Sequence, residues 1–112
     1  MIYTFGKHEL DTRLFELRHA GKQCPLEPRV FDVLAYLLKH RDRVVTKQEL
    51  LDEIWYGRIV CESTLTHSLM QARKAIRDCG RQQRLIQTVH GRGYRFVGEV
   101  RERSDEPALQ AV

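Results

Sequence analysis

Two glycines, Gly91 and Gly93, bracket Arg92, and the sequence on either side changes character. Before them runs Arg84-Leu85-Ile86-Gln87-Thr88-Val89. After them Tyr94-Arg95-Phe96-Val97 alternates in the period of a strand. Glycine supplies the backbone freedom of a tight connection, and two such runs around a short Gly-containing turn predict a β-hairpin. Its return strand closes a core through Phe96, and its tip carries His90 and Arg92. A hairpin that aims cations outward is the feature the rest of the chain has to explain.

The 112 residues suit one domain, large enough for a core without disulfide staples. No apolar run reaches the roughly 18 residues of a membrane span. The opening MIYTFGKHEL has neither the basic front nor the apolar centre of a signal peptide, so a cytoplasmic location is expected, with a membrane anchor further along a longer chain left open. Cys24, Cys61 and Cys79 are far apart and odd in number, which argues against a disulfide framework. The histidines at 8, 19, 40, 67 and 90 lack metal-ligand spacing. No nucleophile elbow or phosphate loop is present, and Glu49, Asp52 and Glu53 cluster where an exposed helix side would hold them anyway. No metal, no cofactor and no enzymatic activity are expected.

The first quarter reads as short strands with tight connections, IYTF (2–5), HELD (8–11), LFELRH (14–19) and KQCPL (22–26), a small antiparallel meander. Its apolar face requires a cover. Pro28 then suits a first helical turn, and Val30, Phe31, Leu34, Leu37 and Leu38 recur at helical spacing. A second helix starts at Thr46, where TKQE has the form of a capping box with Glu49 at the third helical position. It buries Leu50, Leu51, Ile54 and Trp55 and ends at Gly57. Val44-Val45 is long enough only for a bridging strand, and residues 56–62 form a loop. A third helix is expected from Ser63, as N-cap, to about Asp78, stopped by Gly80.

Leu65, Leu69, Ala72 and Ile76 form the inward stripe of that helix. His67, Met70, Gln71, Lys74 and Arg77 lie opposite, with Thr66 and Arg73 on the flank. Between residues 63 and 98 the cations are Arg73, Lys74, Arg77, Arg81, Arg84, Arg92 and Arg95, against one acid, Asp78. The whole chain is only +4, so a basic third is joined to a slightly acidic body, the footprint of a polyanion-binding surface. Two short helices, a third with a basic face and a hairpin behind it make a winged helix-turn-helix. The major groove of DNA admits one α-helix. Gln71 and Arg73 have the chemistry to read bases, Lys74, Arg77 and His67 to meet phosphates, and Ser63 and Thr64 stand at a helix N-terminus, which favours phosphate. Arg95 adds a cation on the return strand.

These segments resemble the OmpR/PhoB-type winged-helix DNA-binding domain of bacterial transcription regulators. The carriers are PLEPRVFDVLAYLLKHRDRVVTKQELLDEIW, STLTHSLMQARKAI and RLIQTVHGRGYRFVGEV, within residues 3 to 98. The resemblance implies an α+β fold with an N-terminal four-stranded antiparallel sheet, three helices and a C-terminal β-hairpin wing over residues 1–100, with 101–112 as a flexible tail or the start of a linker. It places Gln71 and Arg73 at base-facing positions and Trp55, Ser63, Ser68, Thr88 and Tyr94 at positions that touch the phosphate backbone. His90 stands where the family usually has an arginine that enters the minor groove. That role shifts to Arg92, with His90 secondary. Met70 and Gln71 replace residues that are often basic, which alters the expected operator.

Double-stranded DNA is therefore the expected partner. The resemblance also implies RNA polymerase as a partner of loop 56–62, where Arg58-Ile59-Val60 supplies an apolar piece, and head-to-tail pairing on direct repeats. The start at Met1 matches relatives whose DNA-binding domain comes first, without a receiver domain before it. Residues after Val100 are then the linker to a sensory or effector region, or the end of the protein.

Overall fold

The computed structural model describes residues 1–104. They fall into two compact units, one formed by Met1–Pro25 with the chain from Glu99 onward, the other by Leu26–Gly98. The first is an antiparallel sheet of β1 (Ile2–Phe5), β2 (His8–Asp11), β3 (Glu16–His19), β4 (Lys22–Cys24) and β8 (Arg101–Arg103), in the order β4-β3-β2-β1-β8. The register sets Tyr3 opposite Leu10, Leu10 opposite Leu17 and Leu17 opposite Cys24, so one face carries an apolar row. Tyr3, Leu10 and Leu17 are buried. The residues between them point the other way, and there Arg18 meets Glu9, Asp11 and Glu16 at 3.8, 3.6 and 2.9 Å.

This sheet differs from the expected one in two places. It has a fifth strand, Arg101–Arg103, paired with β1 where the sequence reading begins the tail; Arg103 Nη2 reaches Glu9 at 3.2 Å. The rest of the expected tail, from residue 105, lies outside the described residues. The third strand starts at Glu16, not Leu14. Asp11 Oδ1 accepts the N–H groups of Arg13 and Leu14 at 2.9 and 3.1 Å, and Phe15 adopts a left-handed φ of 55°. An aspartate that bonds the backbone ahead of it makes a turn, which leaves Leu14 and Phe15 exposed.

The second unit holds α1 (Pro28–Lys39), α2 (Lys47–Ile54), α3 (Glu62–Ala75) and a sheet of β5 (Val45–Thr46), β7 (Gly93–Phe96) and β6 (Ile86–Val89), in the order β5-β7-β6. The apolar stripe of α1, Val30, Phe31, Leu34, Leu37 and Leu38, is buried as its spacing predicts, and α1 packs on α3, α2 and β7. Arg41 Nη1 donates to Leu38 O at the end of α1, satisfying a terminal carbonyl where a cation is favoured. Thr46 caps α2 by accepting Glu49 N–H at 3.0 Å. The reciprocal half of the capping box is absent, because the Glu49 carboxylate is taken by the fork of Arg43, at 2.7 and 2.5 Å, and by the Tyr36 hydroxyl. The Arg43 hydrogen bonds hold Glu49 down to about 2, while burial and then the Glu49 contact push Tyr36 up to about 12. One carboxylate thus ties α1, the following loop and α2 together.

The third helix is displaced from the sequence reading at both ends. Its N-cap is Cys61, not Ser63, and no side chain caps it. Its end comes at Ile76, well before Gly80. Arg77 N donates to Lys74 O at 3.2 Å and Asp78 N to Arg73 O at 2.8 Å, with Arg77 at φ 60°. This is a Schellman ending, a motif whose left-handed position usually holds glycine. An L-residue there costs about 1–2 kcal/mol, so Arg77→Gly is expected to raise stability by about 0.5–1 kcal/mol after glycine's own entropy is counted. A urea melt at neutral pH checks this; an unchanged or lowered midpoint contradicts the assigned ending.

Candidate nucleic-acid interface

On α3, Leu65, Leu69, Ala72 and Ile76 are buried, as their spacing predicts. Ser63, Thr64, Thr66, His67, Met70, Lys74 and, just past the helix, Arg77 are exposed, and Gln71 is half-buried. One acid missed by the sequence reading belongs to this helix, because it begins a residue earlier than Ser63. Glu62 occupies the first turn, where a carboxylate suits the helix dipole. Its charge is met by Lys47 of α2, Nζ to Oε1 2.6 Å, which lowers Glu62 and raises Lys47 from their ordinary values.

Arg73 is placed otherwise than the sequence reading has it. It is 8% exposed, and its guanidinium points into the hairpin: Nε donates to Ile86 O at 3.2 Å and Nη2 to Thr88 Oγ1 at 2.8 Å. The seat at the flank of the inward stripe turns this side chain toward β6, so it is not on the face that holds Gln71 and Met70. Asp78, read as the acidic end of a basic face, is also buried. Its carboxylate accepts the N–H groups of Arg84, Leu85 and Ile86 at 2.9, 3.0 and 3.0 Å. Burial pushes this carboxyl up, but the Ile86, Leu85, Arg84 and Cys79 amides outweigh it and hold it below the ordinary range. Ile86 is thereby gripped at both ends of its backbone. The same amide contacts explain why the strand begins at Ile86 and not at Arg84.

Beyond Ile86 the hairpin register pairs Ile86 with Phe96, Gln87 with Arg95, Thr88 with Tyr94 and Val89 with Gly93. Ile86, Thr88, Tyr94 and Phe96 share one face, and Gln87 and Arg95 the other. Arg95 is exposed, with Nε bonded to Arg41 O at 3.2 Å. At the tip, Arg92 N closes on Val89 O at 2.9 Å, and His90 and Arg92 are both exposed. The two glycines have separate jobs. Gly91 takes a left-handed φ of 71° with open space around it, whereas a Cβ on Gly93 would sit 2.0 Å from Val45 O of β5. Of the remaining candidates, Thr88 is half-buried, while Trp55, Ser68 and Tyr94 are each 6% exposed and offer little more than an edge. The backbone contacts of Asp78 and the Lys47–Glu62 pair are the two features of this region that residue spacing does not point to. An aspartate just past a helix, eight residues before a strand, is the only sequence signal for the first.

The match to known proteins follows this architecture. Residues 21–96 match the family model described as "Transcriptional regulatory protein, C terminal". The chain belongs to the OmpR/PhoB-type family of DNA-binding domains. This family is a class of transcription-regulator domains and not of enzymes. Among its relatives, the transcriptional activator CadC of Escherichia coli is 33% identical over 94% of this chain and 21% of its own length. The phosphate regulon regulator PhoB of Pseudomonas aeruginosa is 35% identical over 68% of this chain and 33% of its own. The chain therefore spans a fifth to a third of these relatives. Among solved structures, the response regulator DrrB of Thermotoga maritima, described as an OmpR/PhoB homolog, superposes with a TM-score of 0.78 at 32% identity, over 87% of this chain and 44% of that one. The DNA-binding domain of E. coli CadC gives 0.77 at 28% identity, over 91% and 96%. No helix among the described residues is long and apolar enough to cross a membrane.

Because the two tip glycines serve different ends, this OmpR/PhoB-type domain should separate them. Gly91→Ala is expected to cost about 1 kcal/mol from its left-handed backbone. Gly93→Ala, forced against a backbone carbonyl, should cost on the order of 2–3 kcal/mol or more. Thermal melts of the two variants decide; equal losses would mean that β5 does not rest on Gly93.

Proposed function

We propose that this domain binds double-stranded DNA with sequence preference in transcription regulation, with α3 in the major groove and the 90–92 tip at the minor groove. One observation carries the reading: α3 leaves His67, Met70 and Lys74 exposed and Gln71 half-buried on the side away from its apolar stripe, in the same compact unit as a hairpin tip that exposes His90 and Arg92. Gln71 is the base reader, since a carboxamide can pair bidentately with adenine, and Met70 offers methylenes to a thymine methyl. Ser63, Thr64, Thr66, His67, Lys74 and Arg77 are phosphate contacts. The uncapped N-terminus of α3 adds first-turn N–H groups suited to an anion. Arg92 enters the minor groove, where a narrow A·T tract concentrates negative potential, with His90 beside it.

Cation-to-phosphate contacts release counterions, so affinity should fall steeply with salt, by about 0.9 in log–log slope per phosphate neutralised. A salt titration against a sequence selected from a random pool and against scrambled DNA tests both halves. The selected site should stay tighter at every salt concentration, with both lines falling; coincident lines would remove sequence preference.

A second reading concerns loop 56–62 as a contact for RNA polymerase. Tyr56 and Ile59 are exposed, whereas Val60 is half-buried, so Ile59 does not pack on the body as an apolar loop residue ordinarily would. Arg29 of α1 steadies the start of the loop, with Nη1 on Ile54 O at 2.6 Å and its guanidinium 5.6 Å from the Tyr56 ring centre. Ile59→Ser is expected to leave DNA affinity within about twofold and to abolish activation in a reconstituted transcription assay. Full activation by that variant would argue against a polymerase contact. Head-to-tail pairing on direct repeats and a sensory or effector region beyond residue 112 belong to the same proposal.

A further inference from the structure

The least expected feature of the interface is a buried cation that faces no carboxylate. Arg73 is 8% exposed, and its guanidinium bonds the backbone oxygen of Ile86 and the hydroxyl of Thr88. Placing a charge in a desolvated site against neutral acceptors is costly, and a well-packed apolar side chain of similar volume often serves stability as well or better. Stability alone therefore gives poor reason for arginine here. Its geometry gives a better one. The planar fork holds two β6 residues at fixed angles from one α3 position, bonding Ile86 through Nε and Thr88 through Nη2. The Thr88 hydroxyl also becomes a directed donor. One lone pair is occupied by Arg73, so its single proton is free to turn outward from a half-buried position.

We infer that Arg73 is a positioning residue, which fixes the hairpin against α3 so that Gln71 and Arg92 engage their two grooves in one register and Thr88 presents its hydroxyl to a phosphate. This rests on the DNA reading above. It replaces direct base contact by Arg73 with an indirect role. Asp78 completes the arrangement from the other side by holding Ile86 N–H, so α3 and the turn that ends it grip the first residue of β6 at both its amide and its carbonyl.

The test is a set of double-mutant cycles on the DNA selected by the wild-type domain, using Arg73→Met, Arg92→Ala and Gln71→Ala, with folding checked by circular dichroism. Arg73→Met should weaken binding about tenfold or more. In that background Arg92→Ala should add less than about twofold, since a wing already out of register has little to lose. Gln71→Ala should retain its full effect, and a bound-sequence selection with Arg73→Met should return the same preference beneath α3. Additive losses for Arg73→Met and Arg92→Ala would overturn the inference. So would loss of preference at one base pair in Arg73→Met, which would make Arg73 a direct reader. Arg73→Lys supplies a second arm: it keeps the charge but not the fork and should show the same coupling, so wild-type affinity in that variant also overturns the inference. Failure of the wild-type protein to bind any DNA would instead sink the DNA reading, and this one with it.

Discussion

Ile86 is held at both ends of its backbone, its N–H by Asp78 and its carbonyl by Arg73. Its side chain is fully buried. Much of the second unit is placed by that grip. Asp78 can reach forward because Arg77 turns left-handed and closes α3 two residues after its last helical position. With Ile86 fixed, β6 pairs with β7 in a single register. β7 in turn accepts β5 only because Gly93 lets the Val45 carbonyl approach. The tip that carries His90 and Arg92 is thus an extension of α3 by hydrogen bonds, and not an independent loop.

The charges divide into two sorts. Buried or half-buried ones tie elements together: Asp78 and Arg73 join α3 to the hairpin, and Glu49 joins Tyr36 and Arg43 across the first two helices. Of the exposed ones, Arg84 donates Nη2 to Arg77 O at 2.7 Å, while Lys74, Arg77, Arg81 and Arg92 face no acid among the described residues. Exposed pairs contribute little to folding, so a surface with so many unmatched cations is better explained by binding than by stability. The lone acid on α3, Glu62, is answered by Lys47 and so takes little from this field.

Most of the element plan was legible because it rests on periodicity and caps. The stripes of α1 and α3, the Thr46 cap and the hairpin turn all follow from residue spacing. What was not legible depends on where a side chain goes once the elements have packed. Arg73 has the composition of a reader and the seat of a strut; only the position of β6 decides between them. The end of α3 was hidden because Arg77 occupies a conformation in which sequence rules look for glycine. The strand Arg101–Arg103 was hidden because edge strands are often short and charged, which looks like a tail. Phe15 was drawn into a strand by its aromatic character, while Asp11 had already committed the backbone to a turn.

The central claim is that α3 and the hairpin tip read two different grooves of one DNA site. Methylation interference on DNA selected by the wild-type domain tests it most directly, because guanine N7 lies in the major groove and adenine N3 in the minor. One block of N7 interference and an adjacent block of N3 interference are expected, with only the N3 block lost in Arg92→Ala. Interference confined to one groove, or an N3 block that survives removal of Arg92, would contradict it.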